Sequence, residues 1–387
     1  MTAGGSSLCP LDEEYRLTLY PEPGASSDGA LYGASTRAVH AGLPDFEQGA
    51  PLLGGPVFAA PFHLRGAKDA HEFGYGRDAN PTWSALESAL GTLEGGTSLV
   101  FASGMAAVAA VLFTVLKPGD KLVAVGDGYP GVRFIATERL APTGVEVQFV
   151  STDTEEICAA AEGARLVWIE TPSNPRLDVC DIAAIAAAAH KAGALVAVDN
   201  TLATPLGQQC LALGADIAMM SGTKTLCGHS DVLLGVVSTR DGELVDALKR
   251  WRSQSGSVVG AFEAWLAHRS LATLALRLER SSAGALAVAD ALRGKGIEVF
   301  HPSDHAASSQ MLHHGCLVGF VLESETRAQE VLARCSLVAE ATSFGGVHAT
   351  AERRERWGTD DVPAGFIRYS AGIEDPEDLV ADLLQAL

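Results

Sequence analysis

The stretch Ala215-Asp216-Ile217-Ala218-Met219-Met220-Ser221-Gly222-Thr223-Lys224-Thr225-Leu226-Cys227-Gly228-His229-Ser230-Asp231-Val232-Leu233-Leu234-Gly235-Val236-Val237 sets a lysine between two apolar runs. The runs 215–220 and 232–237 read as buried strands, and Ser221–Asp231 reads as a tight loop of small residues. A lysine in such a loop is drawn out of water, which favours the neutral amine. A neutral amine serves as a nucleophile, a Schiff-base former or a base. The competing reading is a turn lysine whose ammonium reaches solvent.

Outward from this loop, apolar strands alternate with helical patterns. The strands are Leu99–Phe101, Lys121–Val125, 145–150, Leu166–Ile169 and Ala194–Val198. The helices are 82–94, Met105–Leu116, 131–141, 154–162, 181–192 and 205–213. This rhythm predicts a mostly parallel sheet covered on both faces, with ligands at the carboxyl ends of the strands. Beyond about residue 255 the pattern changes. Helices 258–270, 273–294, 325–334 and 376–387 mix with strands at 298–300, 316–322 and 365–369, as in a smaller α+β domain. The expected layout is an N-terminal arm and extended segment over 1–60, a large α/β domain over 61–255 and a C-terminal α+β domain over 256–387.

The 387 residues carry 28 basic and 47 acidic side chains, a formal charge of −19. That balance argues against nucleic acid as the main partner. No apolar run approaches the roughly 18 residues of a membrane span. Residues 1–9 lack the charge and apolar core of a signal peptide. The seven cysteines are scattered without a CxxC pair. That pattern suits a reduced, cytoplasmic protein better than a disulfide framework.

Several chemistry-bearing residues fall at predicted strand ends. Ser103-Gly104-Met105 opens a helix after a strand, where free N–H groups and the helix dipole favour an anion. Ser103 as a simple N-cap is the alternative. Asp199 ends the apolar run Leu195–Val198 and needs a partner there, either a cation or the amides of a following helix. Ser221 and Thr223 flank Lys224 with hydroxyls suited to a phosphate. A phosphate cradle, an acid for a protonated ring nitrogen and a buried lysine together describe a pyridoxal phosphate site. Gly126-Asp127-Gly128-Tyr129-Pro130-Gly131 also fits a dinucleotide GxGxxG, with Glu146 about 20 residues on. It sits too far into its domain, and Tyr129 and Pro130 crowd the turn. His301 and His305 have a metal-like spacing that Pro302 keeps off a helix.

These motifs resemble the Cys/Met-metabolism family of pyridoxal phosphate enzymes, which includes cystathionine γ-lyase, cystathionine γ-synthase and methionine γ-lyase. The resemblance runs from about Ser35 to the C-terminus. It is carried by Tyr75-Gly76-Arg77-Asp78-Ala79-Asn80-Pro81-Thr82, Ser103–Ala107 and Glu170-Thr171-Pro172-Ser173-Asn174-Pro175. Asp199-Asn200-Thr201, Ser221-x-Thr223-Lys224 and Arg368-x-Ser370-x-Gly372 follow in the family's order.

The resemblance implies an aspartate-aminotransferase-like (type I) fold and roles for named residues. Lys224 would hold the cofactor and later move protons. Asp199, with Thr201 beside it, would keep the pyridine nitrogen protonated. Ser103, Gly104, Met105, Ser221 and Thr223 would bind the phosphate. Tyr75 and Arg77 would reach the phosphate of a neighbouring subunit, in a homotetramer built as a dimer of dimers. Tyr129 would stack on the ring and protonate the leaving group, and Asn174 would lie near the ring oxygen. Arg368 and Ser343 would receive the substrate.

Cystathionine γ-lyase is the activity expected first, with γ-replacement or methionine γ-lyase as alternatives. A fold kept for binding without catalysis, or a nicotinamide oxidoreductase built on Gly126–Gly131, are the readings from other classes. The chain departs from the family at Thr225, at Thr342 where many members carry glutamate, and over 351–357. All three lie on the substrate side.

Overall fold

The computed structural model describes residues 32–45, 47–67 and 71–387. Residues 1–31 of the expected N-terminal arm therefore lie outside the described residues. Seven strands form the larger sheet: β1 (Thr97–Phe101), β2 (Lys121–Val125), β3 (Glu146–Val150), β4 (Leu166–Glu170), β5 (Leu195–Asp199), β6 (Ile217–Ser221) and β7 (Gly235–Thr239). Their order is β1-β7-β6-β5-β4-β2-β3. The run from β6 to β3 is parallel, whereas β7 is antiparallel to both β6 and β1.

Both faces of the central strands are buried, as continuous apolar strands require, while the edge strand β3 leaves Glu146 and Phe149 exposed. In β2, Leu122 and Ala124 enter the core shared with the helix Gly104–Val115, while Val123 and Val125 enter the core shared with Ile182–Lys191. A third cluster joins Val100, Met220 and Val236 to the helices Pro81–Glu94 and Ala261–Leu271. This packing brings the carboxyl ends of β1, β4, β5 and β6 to one edge of the sheet.

The smaller sheet has the order β10-β11-β12-β9-β8. Its strands are β8 (Glu298–Phe300), β9 (Leu317–Val321), β10 (Ala339–Glu340), β11 (Thr350–Arg353) and β12 (Phe366–Ser370). The helices Leu274–Arg293, Glu325–Arg334 and Pro376–Ala386 bury it through Val288, Val331 and Leu379.

Several expectations need correction. The helix read over 205–213 is a single turn, Thr204–Gly207. After it, Gln208 and Gln209 turn inward and donate to the carbonyls of Thr171 and Leu93, each at 2.9 Å, which takes the chain off a helical path. The strand read over 232–237 begins only at Gly235, because Leu234 N donates to Thr223 Oγ1 at 3.0 Å and keeps 232–234 in the loop. The extended N-terminal segment contains the helix Ala34–His40, which buries Arg37 and Ala38. The polar helix Gly242–Ser255 adds an element to the alternating series. It starts on an Asp241 N-cap and stops at Gly256 in the left-handed region. The segment 351–357, where the chain departs from the family, holds most of β11 and the short turn Glu355–Trp357.

Candidate active site

A cavity of about 260 Å³ opens at the shared carboxyl edge of the large sheet and is closed by the smaller one. It gathers Ser103, Gly104, Met105, Tyr129, Asn174, Asp199, Thr201, Ser221, Thr223, Lys224, Ser343 and Arg368. Most of the residues singled out from sequence therefore meet in one place. Tyr75 and Arg77 do not. They lie outside this cavity, with Arg77 Nη1 donating to the Ser253 carbonyl at 2.7 Å and its guanidinium 5.5 Å from the Tyr75 ring centroid. Neither reaches Lys224 of its own chain.

Lys224 sits on the turn that follows β6. Its Nζ donates to Ser343 Oγ at 2.7 Å and lies 5.3 Å from the centroid of the Phe344 ring. Burial, then the guanidinium charge of Arg368, lowers the amine from 10.5 to about 8, with Glu352 opposing and Arg354 reinforcing the shift. The turn lysine of the solvent-facing reading is thus a partly desolvated amine aimed into a cavity.

Asp199 ends β5 with its carboxylate buried. Oδ1 accepts from Thr201 N at 3.0 Å and from the Thr201 hydroxyl, and Thr201 Oγ1 in turn accepts from Ser221 N at 2.8 Å. Burial raises Asp199 from 3.8 to about 6, against the Thr201 hydrogen bonds. No ion pair to Asp199 occurs among the described residues. A buried carboxylate without a cation, open to a cavity, fits a ligand that carries the missing positive charge.

Ser103 caps its helix: Oγ accepts from Ala106 N at 3.1 Å. Both readings of this segment hold together, because the cap leaves the first amides, Gly104 and Met105, without intrahelical acceptors. A Cβ on Gly104 would stand 2.8 Å from both Cβ and Oγ of Ser221, so only glycine lets the helix start lie against the β6 terminus. The Ser221 hydroxyl and the Thr223 side chain line the same hollow. Free amides, a helix N-terminus and hydroxyls form a donor set suited to a phosphate.

The opposite wall comes from the smaller sheet. Arg368 on β12 is buried, with Nη1 donating to Asn174 Oδ1 at 2.7 Å and Nη2 to the Ser343 carbonyl at 3.0 Å. Asn174 therefore holds the arginine as well as lining the cavity. Thr342 and Arg354 also line the cavity, with Glu352 behind Arg368. Sequence reading placed all three on the substrate side but gave Glu352 and Arg354 no individual role.

Glu170 was also missed. It ends β4 as the register partner of Asp199 on β5, and its Oε2 accepts from Tyr129 N at 2.5 Å. Burial first, then the Asp199 charge, pushes it well above the usual carboxylate range. The signal was available, since an acid closing an apolar strand was the argument used for Asp199. That same bond fixes the Tyr129 backbone, so the Gly126–Gly131 glycines serve this turn.

A lysine amine, an unpaired buried acid and a phosphate cradle fit pyridoxal phosphate by the chemistry of their donors. Comparison with known proteins gives the same answer. Residues 36–387 match the family described as Cys/Met metabolism PLP-dependent enzyme. The chain belongs to this family. It is 53% identical to a provisionally named cystathionine gamma-lyase of Streptomyces coelicolor, over 94% of this chain and 96% of that protein. It is 36% identical to the cystathionine beta-lyase of Lactococcus lactis, over 91% and 98%. Among solved structures, a methionine gamma lyase from Micromonospora echinospora superposes with a TM-score of 0.86 at 37% identity, covering 92% of this chain and 99% of that one. The fold expected from sequence is the one observed, and members of the family use pyridoxal 5'-phosphate. The chain is therefore a pyridoxal phosphate-dependent enzyme of cysteine and methionine metabolism.

Proposed function

We propose that the protein is a lyase that breaks the γ-carbon–sulfur bond of cystathionine or a related L-amino acid, yielding a 2-oxo acid, ammonia and a thiol. The observation that carries this reading is the convergence of Lys224, Asp199 and the Gly104–Ser221 cradle on one cavity whose far wall is Arg368. When bound, the cofactor supplies an electron sink that acidifies the protons next to the substrate nitrogen.

Each side chain then has a defined task. Gly104, Met105, Ser103, Ser221 and Thr223 hold the phosphate. Asp199, steadied by Thr201, keeps the ring nitrogen protonated. Lys224 would anchor the cofactor, and its amine, lowered to about 8, would carry protons at the substrate Cα and Cβ. Arg368 and Ser343 receive the α-carboxylate with a planar guanidinium and a hydroxyl. Tyr129, which lines the cavity, would cover the ring and supply a proton to the departing sulfur. Asn174, which holds Arg368 through its side-chain oxygen, would lie near the ring oxygen.

Tyr75 and Arg77, exposed and remote from their own Lys224, support a second assignment: they complete the phosphate site of a partner subunit in a homotetramer. Scattered thiols without a CxxC pair support a reduced, cytoplasmic setting. No described helix is long and apolar enough to cross a membrane.

A γ-replacement enzyme would use the same contacts, and the exchange of glutamate for Thr342 at the substrate wall favours keeping it in view. One assay series tests both. Cystathionine, homocysteine, methionine, cysteine and O-acyl homoserines are each supplied with and without a thiol, and 2-oxo acid and new amino acid are scored. Release of 2-oxobutanoate and cysteine from cystathionine supports the lyase. Product only from an acylated homoserine plus a thiol overturns it.

A further inference from the structure

Behind the substrate wall, four charged side chains form one chain of ion pairs. Arg368 on β12 and Glu352 on β11 are register partners across the strand pair. Glu352 Oε1 accepts from Arg368 Nη2 at 2.5 Å and from Arg354 Nη1 at 2.8 Å, so a single oxygen bridges two guanidinium groups. The Thr342 hydroxyl reaches the same oxygen at 3.3 Å, and Trp357 Nε1 holds Oε2 at 3.0 Å. Arg354 is gripped from its other side by Asp360, through Nη2 at 2.6 Å and Nε at 2.9 Å. Glu352, Arg354 and Arg368 are all buried. Arg354 reaches the cavity surface, whereas Glu352 does not.

A carboxylate paired with one arginine alone would neutralise it and compete with an incoming substrate carboxylate. Here the competition is relieved, because Glu352 is shared. Burial disfavours its charged form, yet Arg368, Trp357 and Arg354 together hold its carboxyl below the ordinary value, so it stays ionised. Among the described residues, Arg368 spends three N–H groups on Asn174, Ser343 and Glu352. Of the five on a guanidinium, two remain for a ligand.

We propose that Glu352 and Arg354 are positioning residues of the substrate clamp: Glu352 fixes the Arg368 guanidinium at the cavity wall, and Arg354 draws off enough of the Glu352 charge to leave Arg368 receptive to the α-carboxylate. This rests on the reading above only in taking Arg368 as the carboxylate clamp.

The test uses the holoenzyme and L-alanine, which has the α-carboxylate but no γ-substituent. Its failure is thereby separate from failure of the lyase reading. Binding is followed by the change in the visible absorption of the bound cofactor. Arg354→Met leaves Glu352 with Arg368 as its one cationic partner, and the half-saturating L-alanine concentration rises about tenfold or more, as expected for losing one charge-assisted contact. KM for the turnover substrate rises by a similar factor, while kcat changes much less. Adding Glu352→Gln to that variant removes the competing charge and brings L-alanine binding back toward the parent. Arg354→Lys keeps the charge and binds close to the parent.

Unchanged L-alanine binding in Arg354→Met overturns the proposal. So does a double variant no better than Arg354→Met, or a loss confined to kcat. Should Arg354→Met fail to fold, Arg354→Lys against Arg354→Gln makes the same comparison, and equal binding by those two refutes it.

Discussion

The Lys224 amine and the Ser343 hydroxyl meet at 2.7 Å across the junction between the two sheets, one from the turn after β6 and the other from the segment leading into β11. This contact places the reactive nitrogen against the wall that carries Arg368, and it explains why the amine is depressed. Burial withholds water, and the nearby guanidinium adds like charge. The neutral amine, which alone attacks an aldehyde, therefore accumulates as pH rises through about 8 rather than 10.5. In the apo-protein, the rate of pyridoxal phosphate capture should climb through that lower range, as followed by visible absorbance. A climb confined to pH above 10 would contradict it. Lys224→Ala should abolish borohydride trapping and lower turnover about 10²-fold or more.

Gly104 offers a sharper test of the phosphate cradle. An added methyl would press on Ser221 at 2.8 Å while leaving the N-cap bond of Ser103 in place. Gly104→Ala should retain its far-ultraviolet spectrum and raise the dissociation constant for pyridoxal phosphate about tenfold or more, a cost of about 1.4 kcal/mol. Equilibrium dialysis measures it. Wild-type affinity in this variant would place the phosphate elsewhere.

Most of the larger sheet and the cofactor side of the site were legible because both rest on local patterns. Five-residue apolar strands announce themselves, and Ser103, Asp199 and Lys224 stand at their ends. The substrate wall was less legible. Glu352 and Arg354 look like part of a charged surface run in Glu352-Arg353-Arg354-Glu355-Arg356. Only the pairing of β11 with β12 turns Glu352 inward onto Arg368. The helix Gly242–Ser255 escaped notice for a similar reason, since few of its residues are buried and its apolar stripe is thin. The single turn at Thr204–Gly207 depends on Gln208 and Gln209 finding distant carbonyls, which no local pattern records.

Asp199 is assigned a purely electrostatic task, so its neutral isostere should separate charge from shape. Asp199→Asn keeps an oxygen for Thr201 N and Thr201 Oγ1 but offers no charge to a ring nitrogen. Turnover should fall about 10²- to 10³-fold, the usual cost of one fixed electrostatic contact at a reacting centre. Replacing the cofactor with an analogue that lacks the ring nitrogen should produce a comparable loss in the parent and little further loss in the variant. Independent, multiplying losses would show that Asp199 acts on something other than that nitrogen.

Glu170 and Asp199 stand side by side on β4 and β5, both buried and both raised above the ordinary carboxylate range. The sign of the linkage follows. A carboxyl whose folded pKa is raised binds its proton more tightly folded than unfolded. It therefore contributes stability at low pH that is lost as pH rises through the folded value. For Glu170 the loss begins above its ordinary 4.5 and continues upward, because burial and then Asp199 both oppose its charge. Glu170→Gln removes that penalty while keeping an acceptor for Tyr129 N. Apo-protein carrying it should match the parent near pH 5 and become progressively more stable above it. The gap should widen by at most about 1.4 kcal/mol per pH unit. Denaturant midpoints across pH 5 to 8 read this directly. A gap that stays constant, or closes as pH rises, would mean that Glu170 is ionised in the folded protein throughout that range.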